Sequence, residues 1–187
     1  GSVTVVPYSG KQIEFSEDGV YSEDEQLRYM VSNGKLIIQF RKSGLAWNFF
    51  KSSGNKNLTV KIPEKTTELL NSVDIEAVSA NVDVSGIKPH DMSVSTTSGE
   101  INLENAECFE VSLETVSGRI KTSDVSANDF SLESVSGDCV LSGSFGDIDA
   151  ESVSGDFEFV SSSCPGKIDC STVSGSIKVT IPENDGF

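Results

Sequence analysis

With 187 residues, 36% of them apolar, and a formal charge of −15, the chain is long enough for one domain with a substantial core or two small ones sharing an interface. No apolar run approaches the roughly 18 to 20 residues of a membrane span, so membrane association is expected only through segments outside this sequence. The charge divides at Pro63: residues 1–63 carry eight Lys and Arg against six Asp and Glu, residues 64–187 six against twenty-three, a balance that argues against nucleic acid and anionic lipid as partners of the second part.

Residues 1–63 read as a strand-rich segment expected to pack on the remainder as a cap. Val3 and Val5, then Ile13 and Phe15, then Leu27, Tyr29 and Val31 are spaced by two, the period of a strand with one buried face. Asn33 and Gly34 precede the apolar run Leu36 to Phe40 and predict a hairpin turn. The acidic run Ser22 to Glu25 reads as a solvated turn. Between Gly44 and Gly54, Leu45, Trp47, Phe49 and Phe50 form the densest aromatic cluster in the chain, with loop-like flanks. Two readings stay open: the rings cover an open end or flank of the fold, or they offer an apolar patch to a partner. Leu58 to Glu64, LTVKIPE, is a further alternating strand, and a close copy, IKVTIPE, stands at Ile177 to Glu183.

Between these cassettes lies a repeat. TSG at Thr97–Gly99 is followed by VSG at Val116–Gly118, Val135–Gly137, Val153–Gly155 and Val173–Gly175, with glycines 19, 19, 18 and 20 residues apart and a degenerate copy ending at Ala80. A period near 20 is the signature of a solenoid, in which each unit buries its apolar face only against its neighbours. The expected fold is therefore all-β: a parallel β-helix of about six coils over residues 64–187, each coil adding about 4.8 Å, right-handed by the crossover rule.

Counting from each glycine gives apolar columns two and four residues after it, from Val82 and Val84 to Ile177 and Val179, and one two residues before it, the valine of VSG. Pairs seven and five before it, such as Val111/Leu113 and Phe130/Leu132, have the opposite parity. Both sets reach one core only if the chain slips by one residue between them, so a corner is expected three to four residues before each glycine, with the valine inside. On that reading Val135→Asp would unfold several coils. Ile87, Ala106 and Val125 form a weaker third column, with Phe145 and Cys164 as looser members. The glycine suits a corner, and the serine before it a ladder of hydroxyls bonded to backbone or to one another.

Candidate chemistry is sparse. Glu114, Glu133 and Glu151 recur four residues before the glycine, with Glu76 at the same offset. Such a column could hold Ca²⁺ between coils, yet neither the nonapeptide of calcium-binding β-rolls nor an EF-hand loop is present, and no metal or cofactor is expected. Cys108, Cys139, Cys164 and Cys170 have no zinc-ligand spacing; Cys139 and Cys170 fall in core columns, while Cys108 and Cys164 are three coils apart, too far for a disulfide. His90, the single histidine, lies in a turn and reads as a surface residue. Asp147 with Asp149, or Asp124 with Asp129, could pair as sugar-cleaving acids, but the short turns leave no long loops to build a cleft.

The VSG array followed by alternating apolar residues, the LTVKIPE cassette and the preceding strand-rich segment with its aromatic loop (Trp47, Phe49, Phe50) resemble the bacterial putative-adhesin domains of unknown function that form parallel β-solenoids. The resemblance covers essentially the whole chain and brings no catalytic residues. It implies a non-enzymatic domain at the cell surface or in the envelope, binding a protein or glycan partner, although a cytoplasmic location stays open. Candidate interaction residues are Trp47, Phe49, Phe50, Glu114, Glu133 and Glu151. The alternative is a structural scaffold whose coils stack end to end into homo-oligomers, and a more remote one is a polysaccharide-active enzyme.

Overall fold

A computed structural model describes residues 1–19, 28–32, 35–39 and 56–183. The strands run β1 (Ser2–Tyr8), β2 (Glu14–Asp18), β3 (Arg28–Ser32), β4 (Lys35–Gln39) and β5 (Asn57–Pro63), followed by one helical turn, α1 (Glu64–Thr67). The repeats then supply β6 (Ser72–Ala77), β7 (Asn81–Ser85), β8 (Asp91–Thr96), β9 (Ile101–Glu104), β10 (Glu107–Thr115), β11 (Ile120–Ser123), β12 (Val125–Ser136), β13 (Cys139–Ser154), β14 (Phe157–Ser161), β15 (Lys167–Ser174) and β16 (Ile177–Thr180). They build a parallel β-solenoid of about six turns with coils of about 19 residues.

Each coil has three sides. The first face stacks β4, β6, β8, β10, β12, the C-terminal half of β13 and β15, all parallel. The second stacks β5, β1, β7, β9, β11, the start of β13, β14 and β16, again parallel. β13 continues along all three sides and joins them into one sheet of sixteen strands. At the N-terminal end the parallel stack is closed by antiparallel strands: β2 lies on the outer edge of β5 and β3 on the outer edge of β4. Phe15 of β2 stacks on Tyr29 of β3, with ring centroids 3.7 Å apart, and ties the two closing strands together. The register Ser32↔Lys35 leaves two residues between β3 and β4, the hairpin expected there.

The coil beginning at Val111 shows how the sequence chooses its inside. Val111, Leu113, Thr115, Gly118, Ile120, Thr122, Val125 and Ala127 are all buried. Fully burying an aliphatic side chain of this kind contributes about 1.5 to 3 kcal/mol, so stacked coils offset the entropy of ordering them. The alternation is broken where two successive residues face out, and the first such place is Val116 and Ser117. The corner is therefore VSG itself, and the valine expected inside is outside: Val78, Val116, Val135, Val153 and Val173 are between 45% and 83% exposed. The column that turns inward lies one residue earlier, at Ala77, Thr96, Thr115, Ser134 and Ser152, all buried.

The physical reason is the tightness of this corner. A Cβ on Gly118 would lie 1.8 Å from the carbonyl oxygen of Gly99, and one on Gly99 would lie 1.8 Å from that of Ala80, so successive coils meet here backbone to backbone. Only a small side chain fits beside them, and it must satisfy a buried N–H. The Gly99 and Gly118 amides donate to the hydroxyls of Thr96 at 3.1 Å and Thr115 at 2.9 Å. In the next two coils Gly137 and Gly155 take φ of +145° and +142°, and their amides turn to the carbonyls of Ser154 and Ser174 in the following coil. The inward hydroxyl of Ser152 is left without a hydrogen-bond partner. The outward serines form part of the expected ladder: Ser98 and Ser117 donate to the carbonyls of Val78 and Thr97, each at 3.2 Å.

A second corner needs left-handed backbone, supplied by Gly86, Asn105 and Asp124 at φ of +66°, +50° and +54°. One coil further, where the unit is a residue shorter, Gly143 aligns with Val125 and Phe145 with Ala127. Phe145 thus belongs one inward position beyond the Ile87, Ala106, Val125 column, and its ring fills the space that Gly143 leaves. There it meets Phe130 at 4.8 Å and Phe159 at 5.2 Å between centroids.

The terminal coil departs from the expected core. Ile168, Ile177 and Val179, although in inward columns, are 38–39% exposed, and Cys170 is only half-buried, because among the described residues no strand lies on the outer edges of β15 and β16.

Candidate interaction surface

The outward positions of the first face form four parallel columns. Nearest the third side stand Asp91, Glu110, Asp129 and Asp147, aligned in consecutive coils and followed by Lys167. Next come Asp74, Ser93, Ser112, Ser131, Asp149 and Asp169. The third column is Glu76, Ser95, Glu114, Glu133, Glu151 and Ser171, so the three glutamates predicted to recur do stand in adjacent rows, all exposed. At about 5 Å, two like charges repel by roughly 0.8 kcal/mol in water before screening, a cost small beside the burial in each coil. The fourth column is the valine ridge, interrupted once by Thr97. Its six rows span about 24 Å at the usual interstrand spacing.

The column from Asp91 to Asp147 escaped the reading by residue. Its members are 19, 19 and 18 residues apart and stand eight before each glycine, directly ahead of the buried Met92, Val111, Phe130 and Ile148, but the alternation of Asp with Glu masks the constant offset. With Asp149, Lys167, Phe130, Ser131 and Ile148, the carboxylates of Glu110, Asp129 and Asp147 line a shallow open groove near the C-terminal end. Asp147 and Asp149 share this groove, whereas Asp124 is at the positive-φ corner, away from Asp129 along the third side. Among the described residues no group of three or more His, Cys, Asp or Glu side chains is arranged to hold a metal ion. Trp47, Phe49 and Phe50 lie outside the described residues.

The second face is less uniform. Asn102 donates to Asp83 at 2.9 Å, and Lys178 pairs with Glu158 at 2.6 Å. Asp156 accepts from both the amide and the hydroxyl of Ser176, each at 2.8 Å, and these bonds hold its carboxyl below the usual carboxylate range. On the third side His90 stacks on the half-exposed Phe109, centroids 5.0 Å apart, and its Nδ1 meets the Asp91 carboxylate. The four cysteines are free thiols. Burial pushes Cys108 up to about 12 and Cys139 up to about 11, and Cys170 rises for the same reason. Such thiols are poor nucleophiles at neutral pH.

Three comparisons bear on this arrangement. The family model Toastrack DUF4097 matches residues 2–187. A crystal structure of a putative adhesin from Bacteroides fragilis NCTC 9343 superposes with a TM-score of 0.54 at 18% identity, covering 96% of this chain and 88% of that one. At that identity the likeness is one of fold. No curated protein matches the chain.

Proposed function

The chain belongs to the Toastrack DUF4097 family, a domain family of unknown function, and we propose that it is a non-enzymatic, adhesin-type recognition domain that engages a partner through its first face. The observation that carries this reading is the pairing of an exposed apolar ridge with carboxylate columns in register beside it. Monomeric surfaces rarely leave a contiguous apolar stripe without a use, and a rim of charge next to an apolar strip is the composition of a protein contact surface. The sign selects the partner: a cationic protein segment is steered toward the columns and an anionic glycan is repelled. The carboxylates stand on an open face in rows, an arrangement suited to adhesion along a length rather than to closing around one scissile bond. The adhesin name of the structural neighbour supports a place at the cell surface or in the envelope. No helix among the described residues is long and apolar enough to cross a membrane.

The test is a binding screen of the purified chain against basic matrix proteins and glycans. Two variants accompany it, Glu114/Glu133/Glu151→Gln and Val116/Val135/Val153→Ser. A protein partner whose retention falls about tenfold or more in both variants and weakens with salt supports the reading. A partner bound equally by both variants, or hydrolysis of a glycan by the parent chain, contradicts it.

A further inference from the structure

We infer that the stacked pair His90 and Phe109, on the corner between the third side and the first face, is an anchoring site for an arginine side chain of the partner. This rests on the recognition reading in one respect, the cationic character of the partner, and adds which side chain is held and where.

Consecutive coils turn this corner with two outward residues in succession: His90 and Asp91, Phe109 and Glu110, Asn128 and Asp129, Gly146 and Asp147. Strand pairing aligns the four acids, so the residues before them form a column of their own. The bend asks for nothing apolar, since Asn128 and Gly146 make it equally well, yet Phe109 leaves its ring 49% exposed there. The ring stands on ordered backbone. The amides of Phe109 and Glu110 both donate to the His90 carbonyl, at 2.7 and 3.2 Å, and Lys88 in the same turn pairs with Glu107 at 2.9 Å. The two rings lie 5.0 Å apart between centroids and 22° from parallel, with His90 Nδ1 held by the Asp91 carboxylate. An exposed aromatic that the fold does not need, presented without an ordering cost, has the character of a binding hot spot.

Charge identifies the occupant. His90 covers one face of Phe109 from the row before, so the other face is turned toward the following rows, where the corner carries only Asn128 and then Gly146. Glu110 stands beside that face, and Asp129 and Asp147 continue the same column along the shallow groove. A cation is attracted both by the ring and by these carboxylates. Arginine fits better than lysine: its flat guanidinium stacks on an aromatic face and keeps its N–H groups free to fork onto a carboxylate at the ring's edge. The molecule already makes one such arrangement, the flat His90 ring stacked on Phe109 with a nitrogen on Asp91. A guanidinium between Phe109 and Asp129 repeats it one coil further on, with Asp147 about 10 Å beyond Glu110 for the next cation of the partner.

The experiment titrates the 187-residue chain with hexa-arginine, hexa-lysine and the neutral maltohexaose, reading affinity by calorimetry and the Phe109 ring by aromatic NMR. The variants are Phe109→Asn, which installs the residue that the next coil carries at this position, and Phe109→Trp. The expected result is saturable movement of the Phe109 ring resonances with hexa-arginine, and binding tighter than that of hexa-lysine. Phe109→Asn weakens hexa-arginine by about fivefold and leaves hexa-lysine within about twofold, whereas Phe109→Trp keeps or improves the preference. The ring resonances of the parent decide the matter should a variant fail to fold. Equal affinity for the two peptides with no loss in Phe109→Asn, or a Phe109 ring that responds to maltohexaose and not to hexa-arginine, overturns the anchor. The glutamate and valine triple variants separate this from the recognition reading. Peptide binding lost in those variants but untouched by Phe109→Asn removes the anchor and leaves that reading in place. Binding that depends on Phe109 and ignores both triple variants keeps the anchor and counts against the ridge.

Discussion

Thr115 and Val116 are neighbours of nearly equal size and shape, yet the one with a hydroxyl is buried and the apolar one is 45% exposed. Hydrophobicity alone ranks them the other way, which is why the sequence placed the valine inside and Val135→Asp seemed fatal. With Val135 half-exposed, that substitution is expected to cost little. What decides the matter is an unpaired amide: the Gly118 N–H sits in a corner too narrow for water, and the Thr115 hydroxyl is its acceptor. Thr115→Val, which keeps the shape and deletes the acceptor, should lower stability by about 1 to 3 kcal/mol in denaturant unfolding. Ser152→Ala should have the opposite sign, raising it by up to about 1 kcal/mol, because the buried hydroxyl it removes has no partner. Gly118→Ala drives a methyl into the Gly99 carbonyl and should cost several times more than any exposed valine substitution. The recurrence of Ala77, Thr96, Thr115, Ser134 and Ser152 at one offset was the legible signal of a small inward column, and it was hidden by the louder valines beside it.

At the scale of the coil, the period and the alternation after each glycine were readable because nearest-neighbour stacking repeats one local rule. Ile101, Ile120, Cys139 and Phe157 are buried in aligned rows as the spacing implied. The placement of β1 between β5 and β7 was not readable. That pairing joins residues more than fifty positions apart, and no short-range pattern records it. The last coil depends on contacts of a different kind, among them the bonds from Ser176 to Asp156. Because these lower the Asp156 carboxyl in the folded chain, their stabilisation is fully present above the unfolded value of 3.8 and is lost as pH falls through the lower folded value. Hydrogen exchange should therefore show β16 loosening at acid pH, ahead of β9 or β11. Asp156→Asn, which retains an acceptor but does not titrate, should remove that pH dependence.

For the molecule as a whole, composition correctly gave an acidic repeat region, and the fold sorts that acid into columns. The carboxylates from Glu114 to Glu151 were legible as a column because their offset from the glycine is constant. The ridge next to them was legible as a pattern but assigned to the wrong side of the wall. That reassignment changes what the repeat does: threonine and glycine hold the corner together, while valine is displayed beside the acids. Thermal unfolding of Val116/Val135/Val153→Ser tests this most directly. Exposed valines each contribute within about 0.5 kcal/mol, so the account predicts a melting temperature only a few degrees below that of the parent. Valines in the core would each forfeit about 1.5 to 3 kcal/mol, and a triple variant that melts far below the parent or fails to fold would contradict the account.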